Sequence, residues 1–139
     1  MRTEGTGAVE QQLWFVLRLT LAVLLAAHGW MRFLGGGVVP FGDWLNSQGF
    51  SFGLYLAAAI TGYEILATVF YAAGKWLWQL SLVFVLIYSC GLVLVHAPFG
   101  WFVVGAGRNG MEYSVLLIVS LSCIGYRDYQ LARQRRYSF

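Results

Sequence analysis

Long apolar stretches, separated by short polar or glycine-rich segments, dominate the pattern of hydrophobic and polar positions along the chain. Four of these stretches approach the length that a helix needs to cross about 30 Å of hydrocarbon. Backbone amides in lipid must be bonded within the segment, and runs such as Leu80–Leu94 do not alternate as barrel strands do. The pattern therefore predicts four membrane-spanning helices, at residues 13–34, 51–73, 76–98 and 111–126.

The connection between the first two spans carries a helical pattern of its own. It opens with Gly35–Gly37, which should end the first helix, and continues with Pro40, a residue suited to a first helical turn. Phe41, Trp44 and Leu45 then follow at the i, i+3, i+4 spacing of one helix face. The predicted fold class is an all-α integral membrane four-helix bundle, a single domain over residues 1–139, with a short interfacial helix in the first outer loop.

Composition agrees with this class and excludes others. Apolar residues make up 59% of the 139 and charged residues 11%, whereas soluble domains average about 45–50% and about 25%. The same values exclude intrinsic disorder, and two cysteines are too few for a disulfide-stapled secreted domain. The basic residues form no stripe with interleaved aromatics, so the expected partner is the lipid bilayer and not nucleic acid.

The distribution of cations predicts the orientation. With four spans both termini share one side, and seven of the nine Lys and Arg residues lie on that side or nearest to it. They are Arg2, Arg18, Lys75, Arg127, Arg133, Arg135 and Arg136. Because basic segments stay in the cytoplasm, we expect cytoplasmic termini and a basic cytoplasmic tail over residues 127–139.

Each predicted span carries a polar stripe. The stripe of the first contains Arg18, His28 and Arg32, and that of the third contains Ser81, Tyr88, Ser89 and His96. In the second, a small-and-polar face is formed by Ala57, Thr61, Glu64, Thr68 and Tyr71. Stripes of this kind are expected to face each other inside a bundle and not the lipid.

Glu64 is the strongest candidate for a functional residue. An ionisable side chain inside a membrane span has an unfavourable free energy and needs a partner or a function. Arg18 is the predicted partner: counted from the predicted span ends, it lies several ångströms along the axis from Glu64, within reach of its long side chain. Such a pair would fix the helix register. The alternative is that Glu64 carries a proton or belongs to a substrate site, and both interpretations remain open.

The predicted outer ends of the spans gather a second group of polar residues. Arg32 and Arg108 are candidate anion-binding residues, because guanidinium groups match oxyanion geometry. Asn109 and Glu112 are expected beside them, near the mouth of the bundle. His28 and His96 could in principle ligate a haem, but their unequal predicted depth favours neutral hydrogen-bonded histidines, and no metal site is predicted.

Several segments follow one another in an order typical of a known family. They are His28–Arg32 (HGWMR), the Phe41–Gly49 loop helix, Gly62–Glu64 (GYE), His96–Phe102 (HAPFGWF) and Asn109–Tyr113 (NGMEY). Together with Arg18, this set resembles the DoxX family of small four-helix bacterial membrane proteins, over residues 13–128. Arg32 stands where that family often has lysine.

The resemblance implies a function in the bacterial cytoplasmic (inner) membrane. The family includes proteins similar to the membrane subunit of thiosulfate:quinone oxidoreductase, which passes electrons from thiosulfate to quinone. In that reading Arg32 and Arg108 bind the oxyanion, His28 or His96 handles a proton, and Glu64 sets the electrostatics of the site. No intrinsic cofactor is expected, so the chemistry would need a quinone or a partner subunit.

The second hypothesis is that the chain is a non-catalytic accessory subunit of a larger respiratory or photosynthetic membrane complex. It rests on the small size of the chain, its apolar helices rich in Phe and Leu, and the basic tail that ends in Arg135 and Arg136. Other membrane subunits would then be the partners. The resemblance leaves open whether the chain is catalytic.

Overall fold

The structure, a computed structural model, describes residues 4–104 and 109–137. Over these ranges it contains five α-helices and no β-strand, which confirms the all-α class. Three helices are long and apolar enough to cross a membrane: Gly7–Leu34, Gly53–Ala72 and Leu77–Phe99. These agree with the first three predicted spans. The chain forms two compact units, Met1–Lys75 and Trp76–Phe139.

The first unit contains α1 (Glu4–Leu34), α2 (Val38–Ser47) and α3 (Gly53–Ala72). Helix α1 ends at the predicted residue, where Gly36 adopts a φ of 67° that favours glycine. Helix α1 begins before the predicted span, because the preceding polar residues continue the same helix. A helix, α2, forms in the predicted loop segment, and both α1 and α2 pack against α3.

The core of this unit is the predicted face of α3. All five of its members are buried: Ala57, Thr61, Glu64, Thr68 and Tyr71. Leu21, Ala22 and Leu25 of α1 are buried as well, which continues the apolar side of the core along that helix. The spacing of the five residues, at four and three positions in alternation, is that of one helical stripe, and the core follows from it.

Glycines let the helices of the first unit approach closely. A Cβ built on Gly29 of α1 would lie 2.9 Å from the Cβ of Glu64, so this glycine sets the height at which α1 crosses α3. A Cβ on Gly42 of α2 would lie 2.7 Å from the Cα of Leu54. The first backbone N–H of α3, at Gly53, donates to Asn46 Oδ1 over 2.8 Å. Helix α2 is therefore held against the start of α3.

The second unit contains α4 (Leu77–Gly91) and α5 (Glu112–Tyr137), which pack on each other. Helix α4 continues as a π-helical turn (Leu92–His96) and a 3₁₀ turn (Ala97–Phe99). Asp128 of α5 caps α4, because its Oδ2 accepts the N–H of Trp78 over 3.2 Å. Phe84 of α4 and Leu121 of α5 are completely buried.

Helix α5 differs from the fourth predicted span. It continues to Tyr137 instead of ending at Tyr126, so the described part of the predicted basic tail is helical. It is not among the helices apolar enough to cross a membrane. Glu112 and Arg127 bracket only 14 uncharged residues, about 21 Å of helix against about 30 Å of hydrocarbon.

Candidate functional site

Arg32, in the last turn of α1, forms the centre of a polar site inside the first unit. Its Nη1 donates to Glu64 Oε2 over 2.6 Å and to Thr61 Oγ1 over 3.2 Å. The guanidinium carbon lies 4.5 Å from the centroid of the Phe41 ring, a cation–π distance. Helices α2 and α3 therefore both contact one guanidinium of α1, and we call Arg32, Phe41, Thr61 and Glu64 the Arg32 site.

The two charges of the Arg32 site differ in exposure. Only 2% of the Glu64 side chain is accessible, whereas 20% of the Arg32 side chain is accessible. Thr61 is buried and donates its own hydroxyl proton to the carbonyl of Ala57 over 2.7 Å. That leaves the oxygen of Thr61 to accept the bond from Arg32. The carboxylate is thus enclosed, and the guanidinium forms the accessible side of the site.

The site lies well along α3. Thr61 is eight residues from the first residue of α3, Gly53, which corresponds to about 12 Å along a helix of about 30 Å. Helix α2 packs over that first part of α3 and places the Phe41 ring on the guanidinium. If α3 crosses the bilayer, an ion pair at this depth is by default a candidate functional group.

The structure corrects the predicted partner of Glu64. Glu64 pairs with Arg32, and Arg18 lies at the other end of α3, where a Cβ on Gly74 would come within 2.6 Å of its Nη1. The Nε of Arg18 is buried and has no hydrogen-bond partner among the described residues. The prediction failed because it measured depth from the predicted span ends, whereas the packing of Gly29 on Glu64 sets the actual register.

His28 belongs to the same unit and lies one helical turn before Arg32 on α1. It is exposed, and its Nδ1 donates to the carbonyl of Leu24 in its own helix over 2.8 Å. The structure therefore leaves His28 accessible, and its orientation toward the interior of a bundle stays a prediction. Because one helical turn separates it from Arg32, the two residues share a side of α1.

The remaining predicted site residues belong to the second unit. His96 ends the π-helical turn, is partly buried, and donates from Nδ1 to the carbonyl of Asn109 over 2.8 Å. Glu112 Oε1 accepts the N–H of Val103 over 3.0 Å. In the described structure these two hydrogen bonds hold Val103 and Asn109, which lie between the 3₁₀ turn and α5, against Glu112 and His96. Arg108 lies outside the described residues.

Within the described ranges, no group of three or more His, Cys, Asp or Glu residues could hold a metal ion. Sequence reasoning named Arg32, Thr61 and Glu64 separately and missed the contact of Phe41 with the guanidinium. An aromatic residue at the first turn of a loop helix, after a span that ends in arginine, is a signal that could have suggested it.

Comparison with known proteins gives no relative from which a role could be transferred. No protein-family model matches the sequence, and neither a curated protein nor a solved structure is significantly similar to it. The function must therefore be inferred from the Arg32 site and from the ordered motifs.

Proposed function

We propose that the chain is an integral membrane protein that binds a quinone at the Arg32 site and serves as the membrane subunit of a DoxX-like oxidoreductase. The observation that carries the proposal is a guanidinium neutralised by Glu64 yet partly accessible beside an aromatic ring. The expected four-helix bundle in the bacterial inner membrane, with cytoplasmic termini, is part of the proposal.

The hydrogen bonds of Arg32 favour a neutral acceptor. A guanidinium has five N–H donors, and Nη1 directs its bonds to Glu64 and Thr61. The other three N–H groups make no hydrogen bond to the described part of the chain. Because Glu64 already compensates the positive charge, a carbonyl oxygen suits these donors better than a second anion. The Phe41 ring supplies an apolar surface for a quinone ring.

A bound quinone would supply the two-electron acceptor that this chain does not itself contribute. Arg32 would hold a quinone carbonyl, and Glu64 would keep the guanidinium in place from the enclosed side. His28, exposed one turn away on α1, is the nearest candidate for handling a proton at this end. Thiosulfate as electron donor, and oxyanion binding by Arg108, follow from the resemblance to the DoxX family.

Quinone binding can be tested on the purified chain in detergent. We expect a short-chain ubiquinone analogue to quench tryptophan fluorescence saturably, because Trp44 stacks on Phe41 with ring centroids 5.9 Å apart. Arg32→Gln should weaken binding at least about tenfold, the equivalent of one lost charge-assisted hydrogen bond. Arg18→Gln is the matched control and should bind as the wild type does.

Two results would count against this assignment. Quenching that does not saturate in the wild type would remove the quinone site, and equal affinity in Arg32→Gln would move the site elsewhere. Thiosulfate-dependent quinone reduction in membranes, measured with the wild type and with Arg32→Gln, separately tests the redox role. Saturable binding without any reduction would leave a quinone-binding protein that is not an oxidoreductase subunit.

The length of α5 favours a second candidate, an accessory subunit of a larger respiratory or photosynthetic complex. The helix continues for 11 residues beyond Tyr126, about 16 Å, and exposes Arg135 and Arg136 near its end. A rigid basic extension of this kind suits an acidic face of a partner subunit. Extraction in a gentle detergent tests it: migration of the chain alone, without a stoichiometric partner, would eliminate this candidate.

A further inference from the structure

A cavity lies along one side of α4 and α5, within the second unit. It has a volume of about 330 Å³ and an almost entirely apolar lining. Each helix contributes four residues at the i, i+3, i+4, i+7 spacing of a single face. The lining residues are Trp78, Ser81, Leu82 and Val85 of α4, and Ser122, Gly125, Tyr126 and Tyr129 of α5. We call this cavity the α4–α5 groove.

Small residues form the floor of the groove. A Cβ on Gly125 would lie 2.7 Å from the Cβ of Ser81, so the two helices are in near-backbone contact there. At one end, Trp78 and Tyr129 meet edge to face, with ring centroids 5.9 Å apart at 73°. From Trp78 to Val85 the groove runs about 10 Å along α4, a helix apolar enough to cross the membrane. Its shape and lining suit an acyl chain.

The same face of α5 becomes basic beyond the aromatic end. A shallow hollow follows the groove, lined by Gln130, Arg133, Gln134 and Tyr137. Arg133 lies one turn after Tyr129, about 6 Å along the axis, and its guanidinium carbon is 5.9 Å from the centroid of the Tyr137 ring. The α4–α5 groove, the Trp78–Tyr129 pair and Arg133 therefore follow one another along α5. This order matches that of the acyl chain, the membrane interface and the headgroup of a lipid.

We propose that the α4–α5 groove and Arg133 together bind an anionic phospholipid, with an acyl chain in the groove and the phosphate at Arg133. The choice of an anionic lipid rests on charge complementarity with the basic end of the groove. The proposal requires α4 to lie in the membrane and is independent of quinone binding, which concerns the other unit.

The test is native mass spectrometry of the whole chain, delipidated in detergent and given phosphatidylglycerol or phosphatidylcholine with identical acyl chains. We expect the wild type to retain one phosphatidylglycerol about fivefold better, the preference that one arginine near the headgroup provides. Arg133→Gln should abolish the preference. Arg135→Gln, which removes the same charge about 200° round the helix, should keep it.

Blocking the α4–α5 groove tests whether it binds the acyl chain. Ser122 is exposed on the groove wall, and within residues 4–104 and 109–137 its hydroxyl bonds only the carbonyl of Ile118 in its own helix. Ser122→Phe should therefore fill the groove and lower retention of both lipids at least fivefold. Circular dichroism checks that this variant folds; if it does not, the two arginine variants decide. Equal retention of both lipids by the wild type, or equal losses in Arg133→Gln and Arg135→Gln, would overturn the proposal. Unchanged retention in folded Ser122→Phe would also overturn it.

Discussion

The pairing of Arg32 with Glu64 can be measured as a coupling free energy. Replacing Glu64 with Gln leaves a guanidinium charge without its counter-ion about 12 Å along α3, and replacing Arg32 with Gln leaves an enclosed carboxylate. Each single change should lower the free energy of unfolding by about 2–3 kcal/mol, in keeping with the cost of an uncompensated charge inside a span.

The double variant Arg32→Gln/Glu64→Gln carries no charge at the site and keeps two groups able to hydrogen-bond. It should therefore lose only about 1–2 kcal/mol relative to the wild type, which gives a coupling of about 2–5 kcal/mol. The measurement is reversible unfolding in mixed micelles, followed by helical circular dichroism, on all four members of the cycle.

Arg18 provides the control, because the sequence pattern had assigned Glu64 to it. In the structure Arg18 lies 14 residues before Arg32, about 21 Å along α1, so Arg18→Gln and Glu64→Gln should be additive within about 0.5 kcal/mol. Coupling of Glu64 to Arg18 instead of Arg32, or a loss below about 1 kcal/mol in Glu64→Gln, would refute this account of the site.

Two further changes test the packing of each unit. Gly29→Ala places a Cβ 2.9 Å from the Cβ of Glu64 and should lower the free energy of unfolding in micelles by about 1–3 kcal/mol. Gly62→Ala, with open space around it, should be neutral or stabilising, and equal effects of the two variants would contradict the close contact at Gly29. Asp128→Ala removes the acceptor of the Trp78 N–H, so it should lower the free energy of unfolding by about 0.5–2 kcal/mol and speed hydrogen exchange of that amide. Asp43 is exposed, and Asp43→Ala should change neither quantity. An unchanged exchange rate of the Trp78 amide in Asp128→Ala would argue against the cap.

The elements and the buried face of α3 could be predicted from the sequence because they depend on local periodicity. Apolar runs set the first three spans, and the alternating spacing from Ala57 to Tyr71 marks a single stripe whatever the neighbouring helix is. The loop helix could be predicted for the same reason, from three apolar residues after Pro40.

The partner of Glu64 could not be predicted, because the relative height of two helices is not encoded in the periodicity of either. Depth was counted from predicted span ends, although α1 extends back to Glu4 and Gly29 fixes the crossing point. Exposure of His28 has a similar origin, since a stripe shows which residues share a side but not which of them the neighbour covers. The end of α5 was missed because a basic helix continues beyond the apolar pattern used to define it.

The π-helical turn at Leu92–His96 interrupts the rule by which faces are counted along the third span. One wide turn advances the chain by an extra residue, so side chains beyond it are rotated by roughly 100° relative to an uninterrupted α-helix. Counting from Ser81 therefore assigns His96 to the wrong azimuth. A chain that lacks one residue in this segment and continues as a regular α-helix would therefore direct its histidine to the same side as His96 does here.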